Sequence, residues 1–305
     1  MGTLHTPTIV VQGGLGNQLF QWSFAHSISG NKRFFIDPLY NFSEILARNF
    51  ELEEAFRSCN HIKKDKFGKF SVSRAKIIFR FLDRMWEFRF MRLIVEILGY
   101  FREDPRIDQE QSSKMPRRIL YAKGYFQRQK DVENVFDAVQ KEIIPLLDKK
   151  LSSVKKKFDL DSQYSVVHVR RGDYVADKFT PIIIGTLSDE YFIRWIKKNN
   201  SRKLILLTEN REDVVDLLSE IDPFLILDKS DTTPWETLAI MYGASQLLGS
   251  NSSLSWWGAR LCSVNSGEVW LPSQWSYWKN IEVAEYHFPN CHIAEAYWSE
   301  TNEDI

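Results

Sequence analysis

Apolar positions in this chain come in short runs that alternate with segments of helical period. Thr8 to Gln12 reads as a buried strand ending at Gly13-Gly14-Leu15-Gly16-Asn17, a turn that needs small residues and unusual backbone angles. In Gln18 to Ser29, Leu19, Phe20, Ser23 and Phe24 recur at helical spacing, and Gly30 supplies a C-terminal stop. Arg33 to Ile36 resembles a second strand ending at Asp37-Pro38, so the chain opens as a βαβ unit. The later half repeats this rotation. Strands at Ser165 to Arg170, Lys203 to Thr208, Phe224 to Leu227 and Gln246 to Gly249 alternate with helices at Leu187 to Lys198, Glu212 to Ile221 and Trp235 to Ala244. Such an order predicts an α/β fold with a parallel sheet covered on both faces.

The middle of the chain departs from this pattern. Between His61 and Arg102 eleven Lys or Arg oppose four acids, which predicts a basic helical insertion at about 61–102. Its most apolar stretch, Ile77 to Tyr100, is broken by Arg80, Asp83, Arg84, Glu87, Arg89, Arg92 and Glu96, so it reads as an amphipathic helix and not a membrane span. A strand follows at Ile119 to Gly124 and a helix at Lys130 to Ile144, before Pro145 and the lysine-rich Lys149 to Lys157. The domain junction is placed there, giving 1–150 and 151–305.

Composition narrows the classes of function. With 305 residues, 44% hydrophobic and 26% charged, the chain has material for one large core or two ordinary ones, and disorder is excluded. Forty basic and forty acidic side chains cancel, so no global field favours nucleic acid and a grip on an anion must come from a local cluster. Cys59, Cys262 and Cys291 are too few and too scattered for a disulfide framework or a four-ligand zinc site, which points to a reducing compartment. Met1 to Val11 shows no basic segment followed by a long apolar one, so neither a signal peptide nor an anchor is expected there. The expected location is cytoplasmic. The basic helix near Arg74 to Arg92 adds two readings, a contact with anionic lipid at the inner face of the membrane or a helix packed on its own domain.

Three segments carry candidate chemistry. Gly13 to Gln18 leads from a strand into a helix whose first amides point at the loop, a geometry suited to phosphate, although the dinucleotide fingerprint fails at Leu19 and no Lys-Ser or Lys-Thr completes a Walker pattern. Asn17 and Gln18 can bind sugar hydroxyls or order neighbouring loops. His168-Val169-Arg170-Arg171-Gly172-Asp173-Tyr174 stands at the C-terminal end of an apolar strand, where ligands dock in open α/β sheets. Alternation along the strand lets one arginine meet a diphosphate while its neighbour pairs with Asp173. A structural ion pair is the competing reading, and His168 by itself reads as a hydrogen-bonded core residue. Ser250 to Ala259 brings small hydroxyl and amide groups into two tryptophans, either a phosphate-binding helix N-terminus or a plain cap with a buried Trp pair. Asp159-Leu160-Asp161 precedes its strand, the wrong end for a metal serving a nucleotide, and reads as a solvated turn; no zinc motif is present.

In this order, Gly13 to Gln21, His168 to Tyr174 and Ser250 to Leu261, with Val269 to Trp275 after them, the motifs resemble those of the alpha-1,2-fucosyltransferase family. The resemblance implies a GT-B-like fold, two Rossmann-like domains facing each other across a cleft, with the N-terminal domain on the acceptor side and the C-terminal domain binding the nucleotide sugar. It implies an inverting transferase that moves L-fucose from GDP-beta-L-fucose to a hydroxyl of a galactose-type acceptor in an oligosaccharide or a lipid-linked glycan, in an alpha-1,2 linkage, with no metal and no other cofactor. Arg170, Arg171 and Asp173 would be catalytic, either arginine meeting the phosphate and Asp173 acting as base or as arginine holder. His168, Arg170, Arg171, Asn251, Ser252, Ser253 and Glu236 would bind the donor, and Gly14, Gly16, Asn17 and Gln18 would line the acceptor side. Two segments depart from the family: Leu207-Thr208-Glu209-Asn210 replaces Phe-Ser-Asp-Asp, and Glu236-Thr237-Leu238 replaces Glu-Asp-Leu. The alternatives are another linkage such as alpha-1,6, another GDP-sugar, or a glycan- or nucleotide-binding module without turnover.

Overall fold

A computed structural model of the chain describes residues 7–30, 34–37, 49–56, 81–103, 119–160, 163–172, 185–199, 203–276 and 286–299. The chain divides into two compact units, Met1–Glu142 and Ile143–Ile305. Each is built on a parallel sheet, and the fold is α/β and GT-B-like.

The N-terminal unit starts with β1 (Thr8–Val10), α1 (Leu15–Ser29) and β2 (Phe35–Asp37), followed by the short α2 (Leu52–Phe56). Helical residues 81–87 precede α3 (Arg89–Ile97), β3 (Tyr100–Arg102), β4 (Tyr121–Lys123) and α4 (Gln129–Glu133). The strand order is β2-β1-β4-β3, every pair parallel. Gly30 ends α1 in the left-handed conformation, φ 61°, as a glycine stop requires. Of the expected insertion at 61–102, residues 61–80 lie outside the described residues; 81–87 and 89–97 are helical, and the last residues form β3, an edge strand that the sequence pattern does not predict. Tyr100 and Phe101 are buried there by tertiary packing.

Helix α5 (Phe136–Phe158) contains the division between the units. Sequence reading ended a helix before Pro145, whereas α5 runs through it. Proline removes one intrahelical donor, and the buried Val139, Ile143, Leu147 and Val154 offset that loss along one face. Asp159 then takes a left-handed conformation, φ 50°, just past the helix end. It sits before the next strand as a helix stop, and Asp161 lies outside the described residues.

The C-terminal unit follows as β5 (Ser165–His168), α6 (Asp189–Asn199), β6 (Leu204–Leu207), a 3-10 turn (Arg211–Val214), α7 (Val215–Leu218), β7 (Leu225–Leu227), α8 (Pro234–Tyr242), β8 (Gln246–Leu248), α9 (Ser253–Val264), β9 (Glu268–Pro272) and β10 (Cys291–Ala294). The sheet order is β10-β9-β8-β5-β6-β7, all parallel. Central strands β5 and β6 are buried at every residue, as strands covered on both faces must be. Val167 and Val169 pack with Tyr191, Phe192 and Trp195 of α6. Val166 and His168 point to the opposite face, where α8 and α9 pack together and Trp256 and Trp257 are fully buried. Among the described residues no helix is long and apolar enough to cross a membrane.

Candidate functional site

Both sheets reverse their strand order at one point, and in open α/β sheets the crevice at such a point, beyond the strands' carboxyl ends, is where ligands bind. In the C-terminal unit the reversal lies between β5, which continues to β6 and β7, and β8, which continues to β9 and β10. The loop after β5 carries Arg170 and Arg171, and the loop after β8 carries Ser250 to Ser252. Two of the three segments singled out in the sequence therefore meet. Ser250 fixes the meeting. Its hydroxyl accepts the Arg170 amide proton at 3.1 Å and donates to the His168 carbonyl, while its own amide donates to Ser255 Oγ at 3.0 Å.

Strand β5 ends at His168, two residues before the arginines. The guanidinium groups then part. Arg171 Nη1 donates to the Asp213 carbonyl at 2.8 Å, Nη2 pairs with Asp189 Oδ1 at 2.6 Å, and the group lies 5.9 Å from the Phe192 ring centroid. These partners clamp it toward α6 and the turn after β6. Asp213 also accepts from the Gly172 amide at 3.2 Å and from Asn210 Nδ2 at 3.1 Å. Arg170 Nη1 instead pairs with Glu209 Oε2 at 2.7 Å, just past the end of β6. Gly172 leaves room for that carboxylate: a Cβ built on Gly172 would stand 1.9 Å from Glu209 Oε2. Asp173, expected to hold an arginine or act as a base, lies outside the described residues. Asp189, Asp213 and Glu209 were not identified as partners from the sequence. The available signal was the departure at Glu209-Asn210, which marks this loop but does not name its contact.

His168 is 5% exposed and shares a 2.6 Å hydrogen bond between Nδ1 and Ser255 Oγ. Burial, reinforced by the Arg170 charge, pushes its imidazole down to about 3, so the ring is neutral at physiological pH. It joins β5 to α9 from within the core. Tyr191 Oη donates to the Gly249 carbonyl at 2.8 Å, and Asn251 Nδ2 donates to the carbonyls of Gly185 at 3.1 Å and Trp275 at 3.4 Å. The β8 loop is thus tied down along its length. Ser252 occupies the N-cap of α9 with no side-chain cap bond, and Ser253 begins the helix. The first-turn amides of a helix have no intrahelical acceptor and carry the positive end of its dipole, so this terminus suits an anion. The Arg170 backbone is tied to the loop that leads into this terminus, and its guanidinium pairs with Glu209 past the end of β6.

Glu236 stands elsewhere in its local chemistry. Its carboxylate accepts the Thr233 amide at 2.8 Å and its amide donates to Thr233 Oγ1 at 3.3 Å, a capping box at the start of α8.

The N-terminal unit reverses between β1 and β4. Gly13, φ 80°, turns the chain after β1, and a Cβ there would meet Asn17 Nδ2 at 2.6 Å. Asn17 Oδ1 accepts from Gln127 Nε2 at 2.6 Å, which joins the β1 and β4 loops. Gln21, fully buried, spans the same two loops by accepting the Gln12 amide at 3.1 Å and donating to the Gly124 carbonyl at 2.8 Å. Gln18, also fully buried, donates to the carbonyls of Gly13 at 2.8 Å and Asn49 at 2.9 Å and accepts from Leu52 at 3.2 Å. Between the two uses the sequence allowed for these amides, Gln18 orders loops. Gly16 is buried inside α1, while a Cβ on Gly14 would meet nothing within 4 Å. Glu103, after β3, accepts the Tyr125 and Phe126 amides, both at 2.8 Å, and burial raises its carboxyl above the ordinary range. Among the described residues no group of three or more His, Cys, Asp or Glu is gathered as metal ligands.

The chain is similar to known proteins. The sequence model of glycosyl transferase family 11 matches residues 82–278. The chain is 25% identical over 287 residues to an alpha-1,2-colitosyltransferase of Escherichia coli, an alignment covering 86% of this chain and 90% of that protein. Among solved structures, a glycosyl transferase of family 9 from Veillonella parvula DSM 2008 superposes with a TM-score of 0.50 at 10% identity, covering 99% of this chain and 90% of that one. A fucosyltransferase, NodZ, from Bradyrhizobium gives 0.46 at 11% identity, covering 83% and 92%. The first of these, at 10% identity, speaks to the fold alone. The family match spans more than half of the chain and takes in both loops of the C-terminal switch point, Arg170 to Gly172 and Ser250 to Ser252, so the chain belongs to glycosyl transferase family 11 and is a glycosyltransferase.

Proposed function

We propose that this glycosyltransferase moves L-fucose from GDP-beta-L-fucose to a hydroxyl of a galactose-type acceptor, with inversion, in an alpha-1,2 linkage. The observation that carries the reading is the bond between the Arg170 amide and Ser250, which ties the arginine-bearing loop after β5 to the loop that opens α9 at the switch point. A departing nucleoside diphosphate gathers negative charge on its β-phosphate, and the Arg170 guanidinium with the α9 amides would supply the compensating positive charge. Arg171, clamped by Asp189 and the Asp213 carbonyl, positions the loop, which leaves Arg170 as the phosphate-facing arginine. The proposed donor site thus combines Arg170, Ser253 and the α9 amides, with His168, Asn251 and Ser252 as its supports. In the reaction the acceptor oxygen bonds to the anomeric carbon, the bond from that carbon to the β-phosphate oxygen breaks, GDP leaves with the electron pair, and the acceptor proton passes to a base. Asp173 is the proposed base. The name of the Escherichia coli relative supports the alpha-1,2 linkage and makes a colitose donor the competing choice.

A purified sample offered GDP-fucose and a galactose-terminated oligosaccharide should release GDP, with the product linkage read by NMR and with turnover unchanged by a chelator. Turnover only with another nucleotide sugar rejects the donor. An alpha-1,6 product rejects the linkage, and tight GDP binding without turnover across a broad acceptor panel would favour a binding module. Rescue of a chelated sample by manganese rejects metal independence.

A cytoplasmic enzyme with a peripheral contact on anionic lipid is part of the same proposal, and one feature of the N-terminal unit supports it. Arg92 pairs with Glu96 at 3.0 Å and lies 4.1 Å from the Trp86 ring centroid, and Arg102 pairs with Glu87 at 3.0 Å, so charged side chains pack inward around buried Trp86. Phe90, Leu93 and Ile97, one face of α3, are 79%, 60% and 71% exposed. An outward apolar face within a sequence stretch of seven excess positive charges matches an interfacial helix at an anionic bilayer. Vesicles containing phosphatidylglycerol should sediment the full chain at low salt, and the Phe90→Ser, Leu93→Ser, Ile97→Ser triple variant should stay in the supernatant. Sedimentation at background for the wild type rejects the contact.

A further inference from the structure

Glu209 carries an inference that rests on the reading of Arg170 as the phosphate-facing group. Its Oε2 lies 2.7 Å from Arg170 Nη1, and the two side chains are 16% and 22% exposed. The carboxylate approaches over Gly172, where a Cβ would stand 1.9 Å from Oε2 and 2.5 Å from Cδ. Every side chain except glycine's would therefore displace it. The neighbouring residue is held differently: Asn210 Nδ2 donates to Asp213, on the network that clamps Arg171. The two arginines thus have separate anionic partners. Asp189 and Asp213 lie on the side of α6 and the turn after β6, and Glu209 lies with Arg170.

We propose that Glu209 is an internal competitor for the donor diphosphate, a carboxylate that holds the Arg170 fork until the nucleotide displaces it. The physical reason is like-charge exclusion. A phosphate oxygen on the Arg170 fork would share its immediate neighbourhood with a carboxylate in a partly buried site, and adjacent anions repel more strongly there than in bulk water. Binding must therefore break the Arg170–Glu209 pair, and its free energy is subtracted from the affinity for the nucleotide. Because the pair is broken both in the donor complex and in the transition state, Glu209 should affect the two equally, altering KM for the donor and leaving kcat in place.

Calorimetric titration with GDP tests this, using the full chain. Glu209→Gln keeps the shape and removes the charge, and it should tighten GDP binding by about twofold to fivefold, the range expected for releasing a partly exposed ion pair. KM for the nucleotide sugar should fall in parallel, with kcat unchanged within about twofold. Gly172→Ala, which evicts the carboxylate by bulk, should move affinity in the same direction. On an Arg170→Ala background Glu209→Gln should change nothing, because the competitor has lost its target. Unchanged or weaker GDP binding by both variants, with melting temperatures intact, overturns the inference, as does a kcat loss with KM untouched. A wild type that binds no GDP at all overturns instead the donor reading beneath it.

Discussion

The two switch points make a controlled comparison, because the same architecture frames two different chemistries. In the C-terminal unit the loops at the reversal are joined through charge and hydroxyls: Arg170 on Glu209, Arg171 on Asp189, and Ser250 between His168 and Arg170. In the N-terminal unit the corresponding loops are joined by neutral amides, Gln127 to Asn17 and Gln21 to both Gln12 and Gly124. A parallel sheet supplies the crevice in either case and leaves its electrical character to a few side chains. On the C-terminal side the charged groups stand in ion pairs. On the N-terminal side the joint is made of neutral amides alone, so one architecture carries two kinds of loop chemistry.

The sharpest way to break this comparison is to remove the fork and keep the charge. Arg170→Lys should lower kcat/KM by about a hundredfold or more, comparable to losing an oxyanion donor, with the melting temperature held. Arg171→Lys should behave in the opposite sense, losing about 1–2 kcal/mol of stability by denaturant titration as the bonds to Asp213 and Asp189 fail. If both variants lose activity and retain stability alike, the division of labour between the arginines is wrong. On the neutral side, Gln21→Leu should cost about 2–3 kcal/mol, since the Gln12 amide and the Gly124 carbonyl lose their partner together. Equal stability of that variant and the wild type in urea would show that the amide joint is dispensable.

A pH series sharpens the C-terminal side further. The His168 pKa, about 3 in the fold, is depressed below its unfolded value of about 6.5, so its contribution is complete above pH ~6.5 and is lost as pH falls toward 3. Chemical unfolding at pH 5 should therefore show about 2 kcal/mol less stability from this group than at pH 7.5, and His168→Gln should flatten that difference. A variant with the same acid slope as the wild type sinks the assignment. The smallest effect is expected at Glu236. Glu236→Ala should cost about 1 kcal/mol through the lost capping box, with GDP affinity unchanged. A fall in GDP affinity would return Glu236 to the donor site, where sequence reading placed it.

Several of these features were legible along the chain. The rotation of strands and helices in the later half is visible because each buried strand is a short apolar run and each helix repeats its apolar face within about four residues. Gly13 and Gly30 mark their turns by a conformation that glycine adopts without strain. The arginine pair was legible as a strand-end feature, and Thr233 with Glu236 form a capping box whose spacing is local. Other elements left no such trace. Strand β3 emerges from a helical stretch because Tyr100 and Phe101 are buried beside β4, and β10 exists by pairing with β9. Helix α5 crosses Pro145 because its buried face outweighs one lost donor.

The alternation of strands and helices in the later half, the two glycine turns and the two guanidinium groups at a strand's end were written in the amino-acid sequence, because each depends on residues within a turn or two of one another. Only the folded chain settles which carboxylate each arginine meets. Asp189, Asp213 and Glu209 reach these groups from separate loops, and a carboxylate's partner is set by distance in space, which no local pattern of side chains records.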